Sequence, residues 1–165
     1  MIEIVTDEDA LRGIAPGAVA ELARRGTDAT YRNEAPSEND DAFIERVILI
    51  STDSVTQAAR NPHQHLAAAF DGKGLAGFVI ATVHDEQSRE MDWLFVDPDR
   101  HGSGIAGTLM RAGMEWLGMD RPMWLNVAKS NQRAIGFYRK HGFEIDPTAE
   151  CAHAMPHWIM RRPAD

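Results

Sequence analysis

The spacing of apolar residues changes about a third of the way along the chain. Up to residue 60 the apolar positions recur as in helices, whereas from His65 onward they form short runs typical of strands. The first part predicts three elements: a short strand at 2–5, a helix at 7–25 interrupted by glycines and a proline, and a polar loop at 26–41. The apolar segment from Asp40 or Asp41 to about residue 60 has helical spacing, but its β-branched residues leave a strand possible.

The second part predicts strands joined by tight turns, followed by alternating helices and strands. Strands at 65–70, 75–84 and 90–96 form an antiparallel meander with a hairpin turn at 71–74. Then follow a helix to about 118, a strand at 123–127, a helix at 131–141 ended by Gly142, and strands at 143–145 and 155–161. The crossover between the third and fourth strands favours a parallel pair. The predicted fold is α/β (α+β): a single domain over 1–165, with a central mixed sheet of about six to seven strands flanked by helices.

Composition and charge narrow the possible function classes. The chain has 44% hydrophobic and 25% charged residues, as folded soluble proteins do, and its formal net charge is −8. This negative charge argues against nucleic-acid binding, which needs cations to neutralise phosphates, and is compatible with a cationic amine as partner. The longest apolar run, near 47–50, is too short to cross a membrane, and the N-terminus has no signal-peptide pattern. Together with the single cysteine, Cys151, these features predict a cytoplasmic protein that does not contact a membrane.

A glycine-rich turn follows the meander and precedes a helix. Gly102, Gly104 and Gly107 lie where free backbone N–H groups and the positive end of a helix dipole form an anion site, to which Thr108 adds a hydroxyl. A dinucleotide fingerprint is disfavoured because the preceding strands are antiparallel, and a Walker-type loop is excluded because no Gly-Lys-Ser/Thr follows. A structural turn, in which the helix packs closely on the strand, remains an alternative.

Two motifs at and after this turn resemble those of the GNAT superfamily of N-acetyltransferases. The stretch Leu94 to Pro98, running into His101-Gly102-Ser103-Gly104-Ile105-Ala106, resembles its acyl-CoA-binding motif: Gln or Arg, two free positions, Gly, one free position, then Gly or Ala. Downstream, Asn131 to Phe143 matches the family pattern Asn-x-x-Ala-x-x-Phe-Tyr-x-Lys-x-Gly-Phe without a gap. One departure is His101, which stands where the family has Gln or Arg.

The resemblance implies acetyl-CoA as the cosubstrate, no metal, and a role for each residue of the motifs. The backbone of Leu94, Phe95 and Val96 is implied to pair with the pantetheine arm as a further strand would. The residues implied to hold the pyrophosphate and the rest of the cofactor are His101, Gly102, Ser103, Gly104, Ile105, Ala106, Gly107, Thr108, Asn131 and Phe137. Tyr138 is implied as the general acid for the departing thiolate, and Glu90 matches the place of the family's basic carboxylate.

Acetyl transfer to nitrogen requires a base, because an ammonium has no lone pair. Glu90 is the first candidate and Asp92 the second, acting directly or through water. Regular strand alternation predicts one face with Glu90, Asp92, Leu94 and Val96, and an opposite face with Met91, Trp93 and Phe95. Two carboxylates on one face raise each other's pKa, which suits a base that works near neutrality.

The predicted function is therefore an N-acetyltransferase that moves an acetyl group from acetyl-CoA to a primary amine of a small molecule or peptide by direct attack. Two alternatives stay open. One is a non-catalytic acyl-CoA-binding sensor on the same fold, and the other is a nucleotide-binding protein that uses the glycine turn for a phosphate. A homodimer is possible.

Other polar groups in the chain favour structural interpretations. Cys151, His153 and His157 have no obvious fourth ligand, so no metal site is predicted. His84, at the end of its strand, is interpreted as a surface residue. An acidic run beside the second helical segment is compatible with a cationic acceptor, although a solvated helix start explains it as well. That run consists of Glu34, Glu38, Asp40, Asp41 and Glu45.

Overall fold

The structure is a computed structural model that describes residues 1–31, 40–152 and 155–165. Its strands are β1 (Glu3–Val5), β2 (Gln64–Asp71), β3 (Gly74–Val83), β4 (Arg89–Val96), β5 (Met123–Ala128), β6 (Glu144–Asp146) and β7 (His157–Arg162). Its helices are α1 (Glu8–Arg12), α2 (Pro16–Tyr31), α3 (Asp40–Ala58), α4 (Ile105–Leu117) and α5 (Gln132–Lys140), with a 3-10 turn at Pro98–Arg100. None of these helices is both long enough and apolar enough to cross a membrane.

The described strands form one mixed sheet in the order β1-β2-β3-β4-β5-β7-β6. β4 and β5 are parallel and are joined through α4, whereas every other pair of neighbours is antiparallel. A parallel pair needs a crossover of this kind, because a tight turn can join only antiparallel strands. The predicted fold class and the predicted parallel pair are confirmed.

Each face of the sheet packs against its own set of helices. On the α4–α5 face, Val79 and Ala81 of β3 belong to a buried cluster that includes Leu109 of α4. On the α1–α3 face, Phe78 and Ile80 belong to a second cluster that includes residues of α1, α2 and α3. Successive residues of a strand point to opposite faces, so one strand supplies both clusters.

Helix α2 continues beyond the position where the sequence predicts a loop. The prediction ends this helix near Arg25, but α2 passes through Gly26 and reaches Tyr31. A Cβ atom at Gly26 would lie 2.9 Å from Cδ1 of Phe95, so the glycine allows α2 to pack closely on β4. The loop prediction is therefore wrong for residues 26–31, because this glycine serves packing and does not end the helix. The remainder of the predicted loop, residues 32–39, lies outside the described residues.

Helices α1 and α3 follow the helical spacing of the sequence. The predicted break is confirmed: α1 ends at Arg12, the Gly13 N–H donates to the Ala10 carbonyl, and α2 begins at Pro16. Proline is tolerated there because the first N–H groups of a helix have no partner within it. α3 is helical along its whole length, so the strand alternative is not adopted, and Ile44 and Ile48 lie buried against α2.

An extra residue in β4 changes which side chains share a face. The register pairs Ile80 with Trp93 but Ala81 with Met91, so Asp92 is a β-bulge without a partner on β3. Met91 consequently packs on the α4–α5 face, in the same cluster as Leu94 and Val96. Trp93 and Phe95 pack on the α1–α3 face, and Glu90 lies opposite Thr82. The prediction that Glu90 shares a face with Leu94 and Val96, and Met91 with Trp93, is wrong, because regular alternation cannot anticipate a bulge.

Beyond the bulge, β4 and β5 separate. Their ladder contains one residue pair, Glu90 with Trp124, within the described chain. The last residues of β4, from Trp93 to Val96, are paired with β3 on one side but have no partner from β5 on the other within the described chain. The sheet therefore has a gap at its centre, with unpaired backbone groups of β4 along one edge.

Gly77 lies where β3 packs closely on β4 and α4. A Cβ atom there would lie 2.8 Å from the backbone oxygen of Phe95 and 3.1 Å from a methyl carbon of Leu109. Because backbone cannot move aside, we expect Gly77→Ala to lower the free energy of unfolding by about 1–3 kcal/mol in urea denaturation. Gly136→Ala is the control, since Gly136 lies in α5 with nothing within 4 Å of the added atom. Equal urea midpoints for the two variants would contradict the packing argument.

Candidate active site

The turn between β4 and α4 has the conformation that its glycines allow. Gly102 and Gly104 have φ angles of +85° and +88°, in the left-handed region that L side chains rarely adopt. Asp97, which is 5% exposed, begins the 3-10 turn that leads to these glycines and stabilises it by accepting a hydrogen bond from the Asp99 N–H. Its other carboxylate oxygen accepts from Nη2 of Arg25 at 3.0 Å, which connects the turn to α2.

Several N–H groups of the turn remain available for an anion. His101 and Ser103 use their N–H groups within the turn, donating to Pro98 and Arg100. Among the backbone hydrogen bonds of the described chain, none outside the helices and strands uses the N–H of Gly102 or Gly104. The N–H groups of 105–107 begin α4 and have no partner within a helix. With the helix dipole behind them, these groups fit a phosphate.

Cationic side chains of α4 and α5 lie beside this turn. Arg133 donates from Nη1 to Nδ1 of His101 at 2.5 Å. A guanidinium cannot accept a hydrogen bond, so Nδ1 of His101 carries a lone pair and the imidazole is neutral. Burial and the Arg133 charge lower the pKa of His101, in agreement with this state. Arg111 donates to the Thr108 hydroxyl at 3.5 Å, whereas Arg100 is already paired with Asp71 at 2.5 Å.

The second motif forms α5, which positions Tyr138 on the α4–α5 face. Asn131 caps this helix by accepting a hydrogen bond from the Ala134 N–H at 3.1 Å. The Tyr138 ring meets Phe137 and Phe143 edge-on, with centroids 5.5 and 6.4 Å apart. Burial raises the pKa of Tyr138 to about 12, so its hydroxyl remains protonated at neutral pH.

Both candidate carboxylates lie on the α1–α3 side of the sheet. Glu90, 8% exposed, contacts Nε2 of His84 through Oε2 at 2.6 Å, and its Oε1 accepts from Asn126 at 3.5 Å. Burial and the charge of Asp92 raise the pKa of Glu90, while His84 and Asn126 partly oppose this. Burial also raises the pKa of Asp92, although its Oδ2 accepts a hydrogen bond from Thr82 at 3.1 Å.

Side chains that the sequence interpretation did not select complete this polar cluster. His84 is exposed just after β3, as the surface interpretation expects, but its ring also contacts the buried Glu90. Trp124 stacks on His84 with ring centroids 5.9 Å apart and donates to the Ser88 hydroxyl at 3.1 Å. The Cys151 thiol donates to the Asn126 amide oxygen at 3.2 Å. Alternation along the chain places Thr82 and His84 on one face, but only the register between β3 and β4 shows that Glu90 lies on the same face.

The candidate acid and the candidate bases are separated by the gap between β4 and β5. Tyr138 packs on one face of the sheet, and Glu90 and Asp92 lie on the other. Leu94, Phe95 and Val96 border the gap along the unpaired part of β4. The arrangement allows one reactant to approach from each side of the sheet and to meet the other in the gap.

The remaining predicted groups contribute little to this site. In the described ranges, no group of three or more His, Cys, Asp or Glu side chains is placed to hold a metal ion, and His153 lies outside those ranges. Glu34, Glu38 and the side chain of Asp40 also lie outside the described part of the chain. Glu45 of the acidic run is paired with Arg24 at 2.8 Å, which offsets its charge.

Comparison with known proteins identifies related chains. The model of a family described as "Acetyltransferase (GNAT) family" matches residues 20–143. The chain is 34% identical over 87 residues to an uncharacterised N-acetyltransferase of Mycobacterium bovis, covering 50% of this chain and 54% of that protein. It is 37% identical over 62 residues to the peptidyl-lysine N-acetyltransferase YjaB of Escherichia coli, covering 38% of this chain and 40% of that protein. The chain thus spans about half the length of the curated relatives it matches.

A solved structure shares the whole fold. The PaiA N-acetyltransferase of Thermoplasma acidophilum, in complex with coenzyme A, superposes with a TM-score of 0.77 over 99% of both chains. Sequence identity is 20%, so this likeness concerns the fold. It confirms that the arrangement of helices and sheet described above is found in an N-acetyltransferase structure.

The raised pKa of Asp92 predicts a stability change that depends on pH. A carboxyl group with a raised pKa in the folded state favours folding at low pH, and this contribution is lost as the pH rises from the unfolded pKa through the folded one. We therefore expect Asp92→Asn to raise the free energy of unfolding at pH 7 by about 0.5–1 kcal/mol. The gain should disappear near pH 3, where the carboxyl is protonated in both states.

Urea unfolding at the two pH values measures this difference. Asp53→Asn is the control, because Asp53 is exposed on α3 and its substitution changes the net charge equally. The same gain at both pH values, or the same gain in the control, would show that burial of the Asp92 charge is not the cause.

Proposed function

The chain belongs to the acetyltransferase (GNAT) family, and from this premise we propose that it moves an acetyl group from acetyl-CoA to a primary amine by direct attack. Membership confirms both the resemblance inferred from the motifs and the prediction of an acetyltransferase. The observation that carries the proposal is the placement of Tyr138 and the two carboxylates on opposite sides of the β4–β5 gap. In that geometry a thioester and an amine can react without a covalent enzyme intermediate.

Acetyl-CoA is proposed to bind on the α4–α5 side. The N–H groups of Gly102, Gly104 and residues 105–107 would hold the pyrophosphate, beside Ser103 and Thr108. The unpaired backbone of Leu94 to Val96 would pair with the amide groups of the pantetheine arm, because its groups lack partners from β5. Asn131 and Phe137 would act through α5, the first by capping the helix and the second by packing beside Tyr138.

The chemistry requires a proton acceptor, an oxyanion donor and a proton donor. Glu90 and Asp92 are proposed to provide the base function, because carboxylates with raised pKa values accept protons more readily near neutrality. A backbone N–H in the free part of β4, near Leu94 to Val96, would stabilise the oxyanion of the tetrahedral intermediate. The Tyr138 hydroxyl would then protonate the departing thiolate, since it retains its proton at neutral pH.

A primary amine of a peptide or small molecule is the proposed acceptor. Two carboxylates at the α1–α3 face favour an approaching cation before it loses its proton. The relative YjaB carries the name of a peptidyl-lysine N-acetyltransferase, which supports testing lysine side chains first. Partner chains and oligomeric state, including the homodimer, remain predictions.

Calorimetric titration with acetyl-CoA tests the proposal, with desulfo-CoA and ATP as comparators. We expect acetyl-CoA to bind more tightly than ATP, because pantetheine would pair with β4 while ATP could use only the anion site. An assay for free thiol with lysine peptides and small amines should then show turnover. Absence of acetyl-CoA binding would contradict the proposed function.

Tyr138→Phe should separate binding from chemistry. Removing only the hydroxyl keeps the packing against Phe137 and Phe143, so affinity for acetyl-CoA should be unchanged. The turnover number kcat should fall by about a hundredfold, which is typical for loss of a general acid. A variant with unchanged kcat would eliminate Tyr138 as the proton donor.

Arg133→Ala should weaken acetyl-CoA binding, because Arg133 is the cation held beside the turn by His101. We expect the dissociation constant to rise by about tenfold, or ~1.4 kcal/mol, and the loss to shrink as salt is added. Arg139→Ala is the matched control: Arg139 lies on the same helix but is paired with Glu144. If both variants bind equally well, Arg133 does not contact the phosphates.

A further inference from the structure

We propose that the proton of the acceptor amine is taken by Nδ1 of His84, and that Glu90 provides its base function by orienting this imidazole and compensating its charge. The inference rests on the proposed function and refines its proton-transfer step. It assigns a catalytic role to His84, which neither the motifs nor the family match identify, and makes Glu90 a positioning residue.

His84 and Glu90 make a short contact that requires a shared proton. Nε2 and Oε2 are 2.6 Å apart, and two such acceptor atoms approach so closely only with a proton between them. The proposal places this proton on Nε2, because imidazole is the stronger base of the two groups in water and the Asn126 amide stabilises the ionised carboxylate. Nε2–H then donates to the carboxylate, while Asn126 donates to its other oxygen.

The opposite ring nitrogen of His84, Nδ1, is available to accept a proton. With the proton on Nε2, a neutral imidazole carries its lone pair on Nδ1. The His84 side chain is 44% exposed, although Glu90 beneath it is almost fully buried. Within the part of the chain that the structure describes, no hydrogen bond to Nδ1 is found. His84 therefore presents a proton acceptor to the side of the sheet from which the amine is proposed to approach.

Neighbouring groups fix the plane of this ring. The indole of Trp124 stacks on it, and that indole is itself held by the Ser88 hydroxyl. The His84 N–H donates to the Ser88 carbonyl at 2.9 Å, which anchors the backbone at the end of β3. A ring fixed by stacking, a backbone hydrogen bond and a carboxylate is preorganised to accept a proton in one direction.

The proton balance of the reaction is complete with this assignment. A protonated amine gives one proton to Nδ1 of His84, and the imidazolium is compensated by the Glu90 carboxylate and by nearby Asp92. The free amine attacks the thioester carbonyl, the C–S bond breaks, and the second amine proton reaches the thiolate through Tyr138. His84 then releases its proton to solvent from Nδ1, so each turnover yields one amide, one thiol and one proton.

Nitrogen-15 NMR of histidine-labelled protein tests the dyad without any knowledge of the acceptor. His84→Gln identifies the His84 signals by their loss. When neutral, the ring should carry its proton on Nε2, with Nδ1 at the shift of an unprotonated nitrogen. Glu90→Gln should change the Nε2–H shift, because the carboxylate acceptor is removed. An Nδ1–H form, or ring signals unaffected by Glu90→Gln, would overturn the proposal.

Kinetics with Nα-acetyl-lysine amide as the probe amine test the catalytic role. His84→Ala should lower kcat about a hundredfold with acetyl-CoA binding unchanged, and added imidazole should restore part of the rate. Glu90→Gln should be less damaging, by about tenfold, since it removes only orientation and charge. His63→Ala, an exposed histidine before β2, is the control and should behave like wild type.

The outcomes separate this proposal from the proposed function. If Glu90 takes the proton directly, Glu90→Gln is the more damaging variant and imidazole does not rescue His84→Ala. If wild-type protein neither binds acetyl-CoA nor releases thiol, the proposed function fails, and the NMR experiment still decides whether the dyad exists.

Discussion

A β-bulge at Asp92 sets the direction of every functional side chain on β4. By adding one residue against β3, it sends Met91 into the core beside α4 and leaves Glu90 on the opposite face, across from Thr82. It also lies just beyond Glu90, the residue of β4 that pairs with β5, so the polar cluster adjoins the gap. A regular strand would have turned Glu90 towards the apolar face against which α4 packs.

Much of the fold could be predicted because local signals were strong. The hairpin turn, the glycine turn and the capped helix α5 each depend on a few adjacent residues, and each appears where its residues predict. The bulge depends on pairing across strands, which spacing along one strand does not record. The prediction that Gly26 ends the helix fails for a related reason. This glycine allows close packing on Phe95, a residue far away in sequence. His84 and Asn126 likewise become partners of Glu90 only once the register is known.

The two sides of the sheet differ in charge although the whole chain is acidic. Beside the glycine turn, Arg133 and Arg111 extend from α5 and α4, and the neutral His101 holds the first of them in place. Across the sheet, Glu90 is buried and Asp92 half-buried, with uncharged hydrogen-bond partners and one histidine. An anionic cosubstrate and a cationic acceptor would therefore be attracted to different faces, which keeps each from occupying the other's place.

The ion pair between Arg25 and Asp97 couples movement of the glycine turn to movement of α2. Asp97 uses one carboxylate oxygen for the 3-10 turn and the other for α2, so a single buried side chain connects elements from opposite faces of the sheet. A displacement of the turn must either carry α2 with it or separate the two charges. A displacement of the glycine turn is therefore transmitted through Arg25 to α2, on the opposite side of the sheet from α4.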